Sequence, residues 1–413
     1  MKQIKSSIKV VFILCSLFFY TEANSQELQT LISDALTNNP EIKKFELQYG
    51  IASEKINEVH TLPNTEFGVG YFVSEPETRT GAQRFKISVK QMLPWFGSIP
   101  AREKYVSSLA AAKYEDITIA KRKLMASVSQ SYYSLYTNSA KQEILNANIK
   151  LLNTYETVAL TSVAVGKASV VDVLRLKMRQ NELEQLKQVL AQQYSREQTA
   201  FNNLLNRNNA IAINVVGELN IPQEDFEINS ENLVFHPELL KYDKRYQSVE
   251  QSEVLNQKES RPMVGLGLDY VNVAKRPDLN FNDNGKDIVM PTLSVSVPIF
   301  NNSYKSKTKQ NQLQQQEILA QKQERLNVLK TLLDGAINKR FSARIRFKMQ
   351  VKNIKQAKKA EEVLMKNYET ATIDFKDILD IQELQLKFQM NQIEAVKNYY
   401  VQTTIINYLT QQE

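Results

Sequence analysis

From Ala101 to Val165 the chain has neither proline nor glycine. A run of about 65 residues of this kind makes a helix of ~100 Å at 1.5 Å per residue. It ends at VGKASVVDVL (165–174), and a shorter helix then returns to about Arg207. The same plan recurs in the second half. A long helical stretch opens near Tyr304, breaks at ETATIDFKDIL (369–379) and returns towards the C-terminus. A constant offset of 205 superimposes Asp172 on Asp377, Leu174 on Leu379, Gln180 on Gln385, Tyr194 on Tyr399 and Leu204 on Leu409. Matches without a gap point to an internal duplication, so the fold must use one long helical hairpin twice.

The duplication extends upstream of the long helices. ELQTLISDALTNNPEIKKFELQYGIASEKINEVHTLP (27–63) opens as an amphipathic helix, with Leu28, Leu31, Ile32, Ala35 and Leu36 on one face and a turn at Asn38-Asn39 before Pro40. In LVFHPELLKYDKRYQSVEQSEVLNQKESRP (233–262), Pro237-Glu238, Tyr246 and Pro262 repeat Pro40-Glu41, Tyr49 and Pro63. The expected division is therefore a first repeat over 26–207, a linker over 208–232 and a second repeat over 233–413. Within the repeats the expected hairpins are β over 65–91 and 262–298, and helical over 99–207 and 304–413.

After each of those prolines the hydrophobic period changes from helical to two. Phe67, Val69, Tyr71 and Val73 oppose Gly68 and Gly70; Phe85, Ile87 and Val89 alternate with Arg84, Lys86, Ser88 and Lys90. Val264, Leu266, Leu268 and Tyr270 oppose Gly265, Gly267 and Asp269, while Leu293, Val295 and Val297 oppose Thr292, Ser294 and Ser296. Such strands suit a soluble sheet packed on helices by one face. Their length suits equally a tilted membrane crossing of ~9–11 residues. In lipid a sheet must close on itself, and four strands are too few when the smallest barrels have about eight. Transmembrane strands here would require an oligomer.

Residues 1–25 read as a secretory signal: MKQIKSSIK is basic, VVFILCSLFFY (10–20) is apolar, and Ala23-Asn24-Ser25 is small enough for cleavage. The apolar core is too short to span a bilayer, which takes about twenty residues. Leu14 is bulky where lipidation of Cys15 would need a small residue. Cys15 is the chain's single cysteine, so the exported part has none and forms no disulfide. The net charge of +7 is mild, with Lys and Glu interspersed as on solvated helix faces, and nucleic acid is not an expected partner.

No phosphate loop, nucleophile elbow or CxxC motif is present, and His60 and His236 stand alone in the sequence. We expect no enzyme, no cofactor and no metal site. His236 reads as a helix-entry residue; Trp95, in LPWFG, suits either an interfacial anchor or a packing residue at a strand-to-helix corner. Leu176, Leu183 and Leu190 recur every seven residues, as do Leu379, Leu386, Ile393 and Tyr400, which predicts helix–helix seams. At the breaks, Ser169-x-x-Asp172 and Asp374-x-x-Asp377 fit helix caps. Capping leaves Asp380 unexplained; it lies one turn beyond Asp377 on the same face.

In combination these pieces resemble the TolC family of outer-membrane efflux proteins over essentially the whole exported length. The resemblance is carried by ALTNNPEI (35–42), strands ending in MLPWFG and VPIF, and the G-x-x-S-x-x-D-x-L break at 166–174 with its degenerate copy at 371–379. LPWFGSIPAR is similar to members paired with heavy-metal resistance–nodulation–division pumps. The resemblance implies a mainly α fold with a transmembrane β part: a homotrimeric twelve-stranded barrel, four strands per chain, continued by a periplasmic coiled-coil tube. It implies aspartate rings at the pore constriction, for which Asp377 and Asp380 match. Tyr368 and Asp172 match residues linking helices at the closed tip, whose other candidate positions are Gly166, Ser169 and Asp374. Ala371 stands where the family has Gly, and Ile373 where some members have a basic residue. Phe67, Val69, Tyr71, Leu266, Leu268, Leu293 and Val295 are expected to face lipid. The implied function is a passive exit duct of tripartite efflux or type I secretion, opened by an inner-membrane pump and a periplasmic adaptor. The competing expectation is a periplasmic coiled-coil adaptor or scaffold outside the membrane.

Overall fold

The computed structural model describes residues 23–410 apart from 168, 226, 227, 229, 279 and 371. The expected signal lies outside these residues except for its last three, which open the first helix. Helix α1 (Ala23–Asn38) and helix α2 (Pro40–Val59) meet at Asn39, whose side-chain oxygen accepts from the Glu41 amide at 2.8 Å. Pro40 is well placed there, since the first helical residue has no need of an N–H. The long helices are α3 (Ser98–Ala164) and α6 (Ser303–Glu369), and their returning partners are α4 (Val170–Leu204) and α7 (Phe375–Thr410). Helix α5 (Pro237–Glu259) leads the second half after a short 3₁₀ turn at Ser230–Phe235. No helix among the described residues is long and apolar enough to cross a membrane.

The strands are β1 (Glu66–Tyr71), the short β2 (Glu77–Thr78), β3 (Gly81–Leu93), β4 (Met263–Val273) and β5 (Ile288–Ser296). They pair antiparallel in the order β1-β3-β4-β5, with β2 folded back on the start of β3. The two hairpins, far apart in the chain, are thus zipped together by β3 and β4, with Val89 opposite Leu268 and Lys90 opposite Gly267. β1 is shorter than its alternating pattern predicts. Pairing continues one step, from the Phe72 amide to the Arg84 carbonyl at 2.9 Å, and Glu75-Pro76 then turns the chain. Beyond the turn the Pro76 carbonyl accepts from the Gln83 amide at 3.1 Å, so pairing with β3 resumes there.

The chain divides into two compact units that cut across the duplication. One holds the described residues up to Lys43, Thr118–His236 and the chain from Asn327; it contains both helix breaks and the linker. The other, Lys44–Ile117 and Pro237–Leu326, contains the strands of both halves. In the first unit the core beside the breaks draws on four helices: Leu145, Leu152 and Tyr155 of α3, Leu176, Leu183 and Leu190 of α4, Tyr368 of α6, and Phe375, Ile378 and Leu386 of α7. The seven-residue seam of α4 is buried as expected. That of α7 is shifted: Leu379 and Ile393 are half-buried, while Ile378 and Gln382 are buried. Gln382 is accommodated by donating to Asn148 on α3 at 2.7 Å, which turns a leucine-type contact into a polar one.

Candidate functional site

Apart from those expected to face lipid, the sequence-predicted site residues lie at the two breaks, and the structure treats the breaks differently. In the first, α3 ends with Gly166 at φ +75, a left-handed conformation that glycine adopts without cost. The Gly166 amide donates to the Val163 carbonyl (3.0 Å) and the Lys167 amide to the Ser162 carbonyl (2.8 Å), closing the helix end. Ser169 caps α4: its hydroxyl accepts from the Val171 amide at 3.1 Å, and Asp172 accepts from the Ser169 amide at 3.4 Å in a capping box. Asp172 is buried.

At the second break the Thr372 amide donates to the Asn367 carbonyl at 3.0 Å, repeating the Lys167–Ser162 bond one repeat on. The Thr370 and Thr372 hydroxyls donate to the same carbonyl at 2.9 and 2.7 Å. The Asp377 amide donates to the Asp374 carbonyl (3.2 Å), matching Asp172 with Ser169 (3.0 Å). Here the likeness stops. Asp374, Asp377 and Asp380 are exposed, and no side-chain hydrogen bond or ion pair ties them to any described residue. Asp380 edges a groove of about 310 Å³ with Arg175 and Arg179 of α4 and Lys376 of α7. Ala371 lies outside the described residues.

Tyr368 and Asp172, on different helices, are brought into one cluster. The Tyr368 ring meets Phe375 edge-on at 5.0 Å between centroids, and Phe375 meets Tyr155 at 6.0 Å. Burial pushes the Tyr368 phenol above its ordinary pKa; Ser162 beside it works the other way, and the Asp172 carboxylate adds to the rise. The phenol oxygen faces Ser162 without completing good hydrogen-bond geometry.

The linker shows no helical period in its sequence, yet side chains of α3, α4, α6 and α7 all bond to it. Tyr132 and Tyr136 of α3 accept from the Val216 and Leu219 amides, both at 3.1 Å. Tyr194 of α4 donates to the Ile213 carbonyl (3.0 Å), and Tyr400 of α7 to that of Asn220 (2.6 Å). Tyr399, the repeat equivalent of Tyr194, donates to the Asp225 carboxylate at 2.7 Å. Arg344 of α6 donates to the same carboxylate at 2.6 Å, with Arg340 at 3.7 Å. Burial pushes the Asp225 carboxyl up, but the hydrogen bonds from Arg344 and Tyr399 and the two guanidinium charges outweigh it and hold it below the usual range. Burial first, and the bond to Asp225 second, push Tyr399 up to about 12.

In the strand unit, the apolar face is the more exposed one. Phe67, Val69 and Tyr71 are 77, 82 and 71% exposed, and Leu293 71%; Leu266, Leu268 and Val295 are more than half exposed. On the other face Asp269 is buried and bonded to Lys86 at 2.7 Å. Trp95 lies at the strand-to-helix corner beside Phe96, which is 87% exposed; in the second half Ile299 and Phe300 occupy the same corner, also exposed. His236 is buried edge-on to Tyr408 at the entry to α5. No group of three His, Cys, Asp or Glu among the described residues is placed to hold a metal ion.

No family model and no curated protein matches the sequence. Solved structures do. CusC, whose crystal structures concern folding and transmembrane channel formation, shares 13% identity over 94% of this chain and 92% of its own, with a TM-score of 0.77. This is the TolC-family fold. The outer membrane protein VceC of Vibrio cholerae matches at 16% identity over 94% of this chain and 97% of its own, TM-score 0.73. The CmeC outer membrane channel of Campylobacter jejuni matches at 14% over 93% and 85%, TM-score 0.73. The expected mainly helical fold with a small β part is met, and the TolC-family fold accounts for a chain with two helical hairpins and two β-hairpins.

Proposed function

We propose that this chain is one third of a passive exit duct in the bacterial outer membrane. The observation that carries the reading is the sheet's apolar side: Phe67, Val69, Tyr71, Leu266, Leu268, Leu293 and Val295 are each more than half exposed, while Asp269 on the other side is buried. Water penalises a contiguous apolar surface of this size, whereas lipid does not. Phe67, Val69, Tyr71, Leu266, Leu268, Leu293 and Val295 then face lipid, with Trp95, Phe96 and Phe300 at the headgroup level, where aromatic rings collect. β1 and β5 are the open edges of the sheet. Backbone groups at an open edge have no partner in hydrocarbon, so three chains joining edge to edge into twelve strands satisfy them all.

In this reading the chain comprises a signal (1–25) and two structural repeats (26–207 and 233–413) joined by the linker. The helix breaks form the periplasmic tip. Gly166, Ser169, Asp172, Tyr368 and Asp374 shape it, and Asp377 with Asp380 forms two stacked carboxylate rings about the three-fold axis. The duct has no energy source; an inner-membrane pump and a periplasmic adaptor open the tip in an efflux or type I secretion system. The test is membrane fractionation followed by mass measurement in mild detergent. We expect outer-membrane recovery, three chains and no folded monomer. Leu268→Arg should lose ~2–4 kcal/mol and impair assembly, while Ser294→Arg is tolerated. Equal tolerance at both positions, or a stable monomer with full strand content, sinks the reading.

A further inference from the structure

We propose that Lys90, seated beside the Lys86–Asp269 pair, gives the strand-lined part of the duct a preference for anions. This rests on the duct reading above and adds which solutes that segment favours. The polar face of β3 presents Arg84, Lys86, Ser88 and Lys90. Its neighbours on that face are largely glycine: Gly70 and Gly68 stand opposite Lys86 and Ser88 on β1, and Gly267 opposite Lys90 on β4. With no side chains there, the basic residues are what protrudes.

The glycines are needed for this arrangement. A Cβ built at Gly265 would lie 3.3 Å from Lys90 Cε and 2.3 Å from Ser294 Oγ, and one at Gly267 would lie 2.4 Å from Thr292 Oγ1. The Lys90 stem therefore lies over a bare stretch of β4. The charges on this face do not cancel. Lys86 is neutralised by buried Asp269 at 2.7 Å. Lys90 is exposed and makes no ion pair with a described residue, although Glu66 is its direct partner on β1. Three cations, Arg84 included, thus face two acids, Glu66 and Asp269. About a three-fold axis, the surplus becomes a cationic ring in water, bounded by strands whose other side is apolar. Such a ring raises the local concentration of anions and lowers that of cations.

The test is the chloride-to-potassium permeability ratio of purified full-length channels in a planar bilayer under a KCl gradient. Lys90→Gln should lower the ratio about fivefold, as expected when three unit charges roughly 10 Å from the axis, screened at 0.1 M salt, act oppositely on the two ions. Lys90→Glu, which reverses the charge, should lower it about twentyfold, and both effects should vanish at 1 M, where the Debye length is about 3 Å. A purely structural role for Lys90 would not follow charge or salt in this way. If Lys90→Glu fails to assemble, Lys90→Cys reads the same quantity in folded channels, because Cys15 lies in the expected signal. A positively charged thiol reagent should restore the wild-type ratio, and a negatively charged one should lower it further. A ratio unchanged across the series at 0.1 M, with wild type conducting, overturns this proposal alone. A wild type that forms no channel removes the duct reading, and this proposal with it.

Discussion

The two helix breaks occupy equivalent places in the duplication and share their backbone hydrogen bonds, yet their acids meet opposite fates. Asp172 is buried and serves a capping box, whereas the Asp377 side chain is exposed and bonded to no described residue. Those shared bonds are therefore not what separates them. The first break has a serine cap and a burying neighbour in Tyr368; the second has an aspartate in the serine's place and closes its helix end with Thr370 and Thr372. One copy has spent its carboxylate on stability. The other leaves its carboxylates exposed, where the duct reading uses them as rings.

The comparison breaks most sharply at Phe375, which is fully buried between Tyr155 and Tyr368 and fastens the second break to the core. Phe375→Ala should cost ~3–5 kcal/mol in denaturant unfolding. A loss under ~1 kcal/mol, the usual size for a surface site, would mean that the breaks do not share one core. Next in size, Asp172→Ala should cost ~1–2 kcal/mol through the lost cap, while Asp377→Ala stays within ~0.5 kcal/mol. Equal losses at the two positions would erase the distinction.

The duplication also places Tyr194 and Tyr399 alike on the linker, but only Tyr399 bonds to an ionisable group. Asp225 has a depressed pKa, so its contribution is present above its ordinary 3.8 and is lost as the pH falls through the folded value. Tyr399 is raised from 10.0 to about 12, so its contribution is present below pH 10 and lost as the pH climbs through about 12. Thermal unfolding midpoints should therefore fall at both extremes. Asp225→Asn should flatten the acid arm, and Tyr194→Phe, which removes a phenol that burial pushes up, should lower the midpoint and soften only the alkaline arm. An acid arm that survives Asp225→Asn would assign it to another group.

The smallest effect on stability goes with the largest expected effect on conduction. Asp377→Ala/Asp380→Ala should leave unfolding within ~0.5 kcal/mol of wild type. Single-channel recordings should nonetheless show weaker cation selectivity and no block by a trivalent cation. Unchanged selectivity and block, with a loss of stability, would make these residues helix caps.

Much of this was legible in residue spacing. Ser169-x-x-Asp172 gave a cap, Leu176, Leu183 and Leu190 gave a buried seam, and strict alternation gave the strands, because each depends on neighbours within a few residues. The difference between Asp172 and Asp377 was not legible. It depends on Tyr368, which is remote from Asp172 in sequence, and on what each helix end packs against. The linker was the larger omission. Its contacts run through phenols and amide side chains and through Arg340 and Arg344 on Asp225, mostly to helices far away in the chain, and a strap without periodicity gives no local signal of what will hold it. The even spacing of Leu379 and Ile393 misled, because Gln382 could enter the core once Asn148 faced it.

The pairing of β3 with β4 has a consequence for the order of events in folding. Val89 and Leu268 are roughly 180 residues apart, against roughly 15 for the Tyr71–Phe85 contact, and closing the longer loop costs about 2 kcal/mol more. That cost is modest, but the delay is not. The central seam of the sheet cannot form until α3, α4, the linker and α5 have all been synthesised, and distant strand pairings form slowly. Until then the first hairpin has an open edge and an apolar side with nothing to cover it. A nascent chain of this design is safest delivered unfolded and kept apart from its siblings, with the sheet completed last.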